Sequence, residues 1–183
     1  RYRETQEELA GLAAWAQANP KLRPEVQEAL KRLAQLPRTM TSAQAREFYP
    51  HVWRVYAHMP DVPDTLEPAQ LFTDLAVGLE MVNKITGSLR GHIYDLREGI
   101  KEPSEKILHT MEEEIRALVA LWYAWDEFQQ RSDSGTAAAD TPSDSVDLMT
   151  GRPEAGFLVR ADDVLPTLET VDQAGAGQPY DVS

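Results

Sequence analysis

Ser88, His92 and Asp95 stand at i, i+4 and i+7, a spacing that lays them along one face of a helix, and their side chains are those of a nucleophile, a base and an orienting acid. Acyl transfer asks for more than these types. The base must reach the serine from a different element, the nucleophile must sit on a strained turn, and backbone N–H groups must be free to hold an oxyanion; a serine in mid-helix offers none of these. The trio therefore reads as a polar flank beside an apolar seam. Glu105, His109 and Glu113, with Glu112 adjacent, line up carboxylates and an imidazole in the same way. Helical di-metal centres use Glu-x-x-His pairs projecting inward from several helices, and no Glu-x-x-His occurs in this chain. That face reads as a solvated surface laced with ion pairs. His51 and His58 flank Arg54, and with Arg46, Lys21, Arg23, Lys31, Arg32 and Arg38 they outline a basic surface suited to phosphate or an acidic peptide. Ordinary solvated helix faces account for the same residues. The sequence thus assigns no catalytic residue, no cofactor and no metal ligand, and the chain is read as non-enzymatic.

Composition narrows the class further. The 183 residues carry 18 Lys and Arg against 30 Asp and Glu, a net charge of −12, which disfavours nucleic acid and anionic membranes as partners. No glycine-rich phosphate loop, helix-turn-helix signature or RNA-binding aromatic motif argues the other way. With no cysteine, disulfides, thiolate zinc sites and cysteine nucleophiles are excluded, and a reducing compartment suits the chain. No apolar run approaches the roughly 18 residues that cross a bilayer. The expected location is the cytoplasm or the inside of a larger particle, although an N-terminus at Arg1 rather than Met leaves processing and secretion open.

The elements that must position these side chains are helical. The pattern predicts an all-α fold, a helical bundle built on a long antiparallel αα-hairpin of coiled-coil character, with a largely irregular acidic C-terminal arm. Residues 1–60 read as short amphipathic helices that cover the hairpin. Leu9, Leu12, Ala13 and Ala16 form one stripe; Val26, Ala29, Leu30 and Leu33 form a second, opened by Pro24 in a first turn, where its missing N–H costs nothing. Thr41 and Gln44 have the spacing of a capping box ahead of Phe48, Val52, Val55, Tyr56 and Met59, with Pro50 set to kink that helix or delay its start. Trp15, Phe48, Trp53 and Tyr56 are the candidate plugs of the core.

Residues 61–131 carry the hairpin. From Pro68 onward Leu75, Leu79, Val82, Leu89, Ile93, Leu96 and Ile100 fall at 4-3 spacing broken only by Thr86, and after Ile100–Pro103 a second seam runs Ile107, Met111, Ile115, Leu118, Trp122, Trp125. Each helix is expected to hold about 30 residues and span about 45 Å. Gly87 and Gly91, one turn apart, suggest either a close backbone approach or a kink. Seams of this length also allow pairing between subunits, so a homo-oligomer is one expected form.

Residues 132–183 read as a linker and an extended acidic interaction arm. Lys and Arg number nine, seven and two in the segments 1–60, 61–131 and 132–183, against six, fourteen and ten Asp and Glu, so the arm holds −8 of the net charge. Within it Phe157, Leu158, Val159, Val164, Leu165 and Leu168 form apolar islands, the pattern of short segments that order on a partner. The function expected is structural: assembly or adaptor work through other protein subunits, as part of a larger complex or particle such as a virion or an injection apparatus. The charge balance suggests another reading, a small acidic regulator or inhibitor that mimics nucleic acid. Tyr123 with Glu127, and Tyr94 with Glu98, repeat a Tyr-x-x-x-Glu spacing that resembles the export signal of type VII secretion substrates, themselves helical hairpins. That resemblance implies a secreted hairpin. It covers only those pairs, and the Trp-x-Gly turn of the small members of that group is absent.

Overall fold

The computed structural model describes residues 2–138, and among them every regular element is an α-helix. They are α1 (Tyr2–Ala18), α2 (Pro24–Thr39), α3 (Ser42–Val55), α4 (Pro68–Leu71), α5 (Leu75–Arg97) and α6 (Glu105–Ala138). The six anchors of the arm, Phe157, Leu158, Val159, Val164, Leu165 and Leu168, lie outside the described residues.

The first three helices follow the sequence signals closely. Leu9, Leu12 and Ala16 bury one face of α1, and Val26, Leu30 and Leu33 bury the facing side of α2, which opens with Pro24 in its first turn. At the head of α3 the Thr41 N–H donates to Gln44 Oε1 at 2.9 Å while the Gln44 N–H donates to Thr41 Oγ1 at 3.3 Å, so the capping box satisfies both orphan donors. Pro50 delays nothing, because α3 starts at Ser42 and carries the proline inside it. The helix stops at Val55, short of Met59; His58 takes a left-handed φ of 55° and Met59 stays exposed. The fully buried aromatic of α3 is Tyr49, whereas Trp15, Phe48, Trp53 and Tyr56 only border the core.

The largest departure is the break before α5. A single helix from Pro68 gives way to the short α4 and then to α5, with Phe72 leaving helical geometry and Asp74 capping the new start by accepting from the Ala76 N–H at 2.9 Å. Phe72 folds back over α5, where its ring lies 2.5 Å from the position a Cβ on Gly78 would occupy. The break also turns the seam. Gly78, Met81, Ile85, Thr86, Leu89, Ile93 and Leu96 are the buried residues of α5, while Leu75 and Ile100, the expected ends of the stripe, are exposed. A Cβ at Gly87 or Gly91 would meet nothing within 4 Å, so among the described residues no other backbone approaches there.

Gly99 closes α5 at a φ of 69°, with the Ile100 N–H bonded to the Asp95 carbonyl at 2.9 Å and the Gly99 N–H to that of Leu96 at 3.3 Å. This is a Schellman motif, which only a glycine enters without strain. The chain then reverses into α6, which packs against α5 and also against α2, α3 and α4. Its middle is apolar on every side: Ala117, Leu118, Val119, Ala120 and Leu121 are buried in succession. A helix of that kind is the centre of a bundle rather than one half of a two-helix seam. α6 also continues past Arg131 through Ser132–Ala138, where the change of composition suggests a linker. Ser132 Oγ and Ser134 Oγ donate back to the carbonyls of Phe128 and Gln130 at 3.0 and 2.7 Å, which keeps these serines from competing with the helix backbone.

Candidate interaction surface

The residues with chemical potential are brought together, but in different sets from those their spacing suggests. Ser88 and His92 do not meet as nucleophile and base, because both turn toward Glu114 of α6. Ser88 Oγ donates to Glu114 Oε1 at 2.5 Å, and His92 Nε2 lies 3.8 Å from the same oxygen. Asp95 pairs with Lys101 at 2.6 Å instead. Glu114, which sequence reasoning passed over, is thus the organising group. It is 4% exposed, and its second oxygen, Oε2, is buried with no hydrogen-bond partner. Burial pushes its carboxyl above the ordinary range; the Ser88 hydrogen bond and then the nearby His92 oppose that rise without cancelling it. Tyr56, at the end of α3, has its hydroxyl pushed up to about 12, first by burial and then by the charges of Glu114 and Glu113. The signal for Glu114 was present in the sequence, as the acid lying between Met111 and Ile115 and the inward face of α6, but a run of three glutamates hides which one turns in.

Glu113 collects two of the other three histidines. His109 Nε2 stands 3.5 Å and His51 Nε2 4.0 Å from its Oε1. Glu112 is engaged elsewhere, accepting from Arg116 Nε and Nη2 at 3.2 and 2.9 Å. Among the described residues no group of His, Asp and Glu is placed to hold a metal ion. Of the residues outlining a basic surface, Arg46 is taken up in a two-point contact with Glu127, at 3.1 and 2.8 Å, while His58 Nε2 meets another base, Lys84 Nζ, at 3.0 Å. Tyr123 is also occupied, its hydroxyl donating to the Met40 carbonyl at 3.1 Å.

Among the described residues a groove lies open between α2 and the first turns of α6, with a volume of about 730 Å³. Val26 and Leu33 are buried at its base, and Ala29, Leu36 and Leu108 are half-buried above them. Two local features hold it open. The inward stripe of α2 is Val26, Leu30 and Leu33, so the adjoining column of Ala29 and Leu36 is left beside α6 without being covered, and Ala29 is too small to fill the gap. At the other wall, the chain enters α6 through Pro103 and Ser104, whose Oγ accepts from the Ile107 N–H at 3.3 Å. Glu25 and Arg32 of α2 face Glu105, Glu112 and Arg116 of α6 along the rim, so both signs of charge alternate around an apolar floor. No described helix is long and apolar enough to cross a membrane. Comparison of the chain with protein-family models, with curated proteins and with solved structures gives no match.

Proposed function

We propose that this chain is a non-enzymatic assembly or adaptor protein, which binds an amphipathic segment of another protein in the groove between α2 and α6. The observation that supports the reading is the groove itself: an apolar floor of Val26, Ala29, Leu33, Leu36 and Leu108 under a rim of alternating charge. Apolar residues at i, i+3, i+4 and i+7 of a partner helix fit such a floor, and its flanking charges find partners of either sign on the rim. Arg32 and Glu105 make no ion pair among the described residues, so both are available to a ligand. The apolar islands of the arm, Phe157, Leu158, Val159, Val164, Leu165 and Leu168, are proposed as a separate set of anchors, to which the sequence alone speaks.

The test compares partners captured by the full chain, by Ala29→Glu and by a Phe157→Asp, Leu158→Asp double variant, at low and high salt. Ala29 is half-exposed and glutamate is a good helix former, so the first variant is expected to keep its thermal midpoint while losing the partner. Capture that survives high salt supports anchoring by apolar contact. A partner retained equally by every variant removes the reading, and one lost steeply with salt favours the charge-mimic alternative.

A further inference from the structure

We propose that Glu114 is a proton-operated clasp between α5 and α6, holding the two helices together when it carries a proton and loosening them when it gives the proton up. The placement is unusual for a carboxylate. Met111, Ile115, Ala117 and Leu118, all buried, lie around it on α6, and its Oε2 has no hydrogen-bond partner among the described residues. Its one short contact crosses to the other helix, to Ser88 Oγ. A serine hydroxyl can donate to the carboxylate or accept from the carboxylic acid, so this bridge survives either state. What changes is the cost of the buried charge, which the unpartnered oxygen leaves largely uncompensated.

The groups that face Glu114 fix the sense of the switch. From α5 come Ser88 and His92, the latter 3.8 Å away. From the end of α3 comes Tyr56, whose hydroxyl, raised to about 12, stays neutral throughout the physiological range. From α6 itself comes the adjacent Glu113, which is flanked in turn by His51 and His109. A proton on Glu114 leaves its carboxyl without charge. Removing that proton leaves a bare carboxylate among apolar side chains.

The carboxyl of folded Glu114 is raised above its unfolded value, so its protonated form contributes stability that is complete below the ordinary carboxyl range. That contribution is lost as pH rises through the raised value. Each unit by which the proton affinity is raised corresponds to a tenfold change in the equilibrium between closed and open hairpin.

Hydrogen exchange of the amides around Ser88, corrected for the intrinsic pH dependence of exchange, is measured on the full chain between pH 5 and 9, alongside thermal unfolding. In the native protein, protection and the thermal midpoint are expected to fall with rising pH. In Glu114→Gln, which keeps the shape and the Ser88 contact, the fall is expected to be absent or much reduced. Ser88→Ala removes a bond that favours the carboxylate, so it is expected to move the transition to higher pH; Tyr56→Phe is expected to leave it in place. A native protein with no fall over this range, or a Glu114→Gln chain that falls as steeply, overturns the proposal. Should Glu114→Gln fail to fold, an unmoved transition in Ser88→Ala overturns it equally.

Discussion

At the scale of single residues, the glycines of α5 separate by what surrounds them rather than by where they fall in the sequence. A Cβ on Gly78 would sit 2.5 and 2.7 Å from two ring carbons of Phe72, and that ring is hemmed in by Trp125 and Phe128 at centroid distances of 5.1 and 6.2 Å. Gly78→Ala is therefore expected to destabilise by about 1–3 kcal/mol, the usual cost of overfilling a core. Gly87 and Gly91 meet nothing within 4 Å, so alanine at either is expected to stabilise the chain by about 0.5–1 kcal/mol through helix propensity alone. Chemical denaturation of the single variants checks both signs. Sequence could show that these glycines need reasons but not which reason belongs to which, because the ring that occupies the missing Cβ comes from beyond a helix break. Glu114 was obscured for a related cause: its partners Ser88 and His92 lie on another helix, and the spacing of a single strand of sequence reports only neighbours on its own face.

Among the helices, legibility followed how local the determining interaction is. The Thr41 capping box, the Pro24 start and the stripes of α1 and α2 are legible in the sequence, since each is decided within a turn or two. The seam of α5 follows the heptad spacing in its second half and departs from it in its first. Leu89, Ile93 and Leu96 are buried as the heptad spacing indicates, but Met81 and Ile85 replace Leu79 and Val82 as the inward residues after the break at Phe72. A rotation of that kind follows from where a helix begins, and the Asp74 cap that sets the beginning is a weak mark in a sequence rich in aspartate. Leu89 and Ile93 remain the strongest test of the hairpin. Replacing both by Asp buries two carboxylates with no partner, and loss of the cooperative thermal transition is expected in circular dichroism. A double variant as stable as the parent would show that α5 does not rest on α6 there.

For the molecule as a whole, α6 packs against four other helices at once, so the helical bundle that the sequence indicates gathers its described helices around one central rod. Residues 2–138 belong to a unit that closes at Thr141, and its apolar core ends at Phe128. A chain stopped after Thr141 is accordingly expected to show the thermal midpoint of the full chain by calorimetry. A chain stopped after Arg131 also keeps the Arg131 to Glu67 contact but loses the final turns of α6, so some helicity should go without loss of cooperativity. The position of α6 in the order of elements has a kinetic meaning as well. Because α2, α3, α4 and α5 all bury surface against it, none of them can finish its core while the polypeptide emerges from the ribosome, and α6 is the last described helix to be made. Nascent chains ending before Leu121 would display their apolar faces to solvent for the several seconds that synthesis takes, at roughly 5–20 residues per second. Such a protein folds late and all together, and for that interval it is a natural client of whatever holds unfinished chains apart.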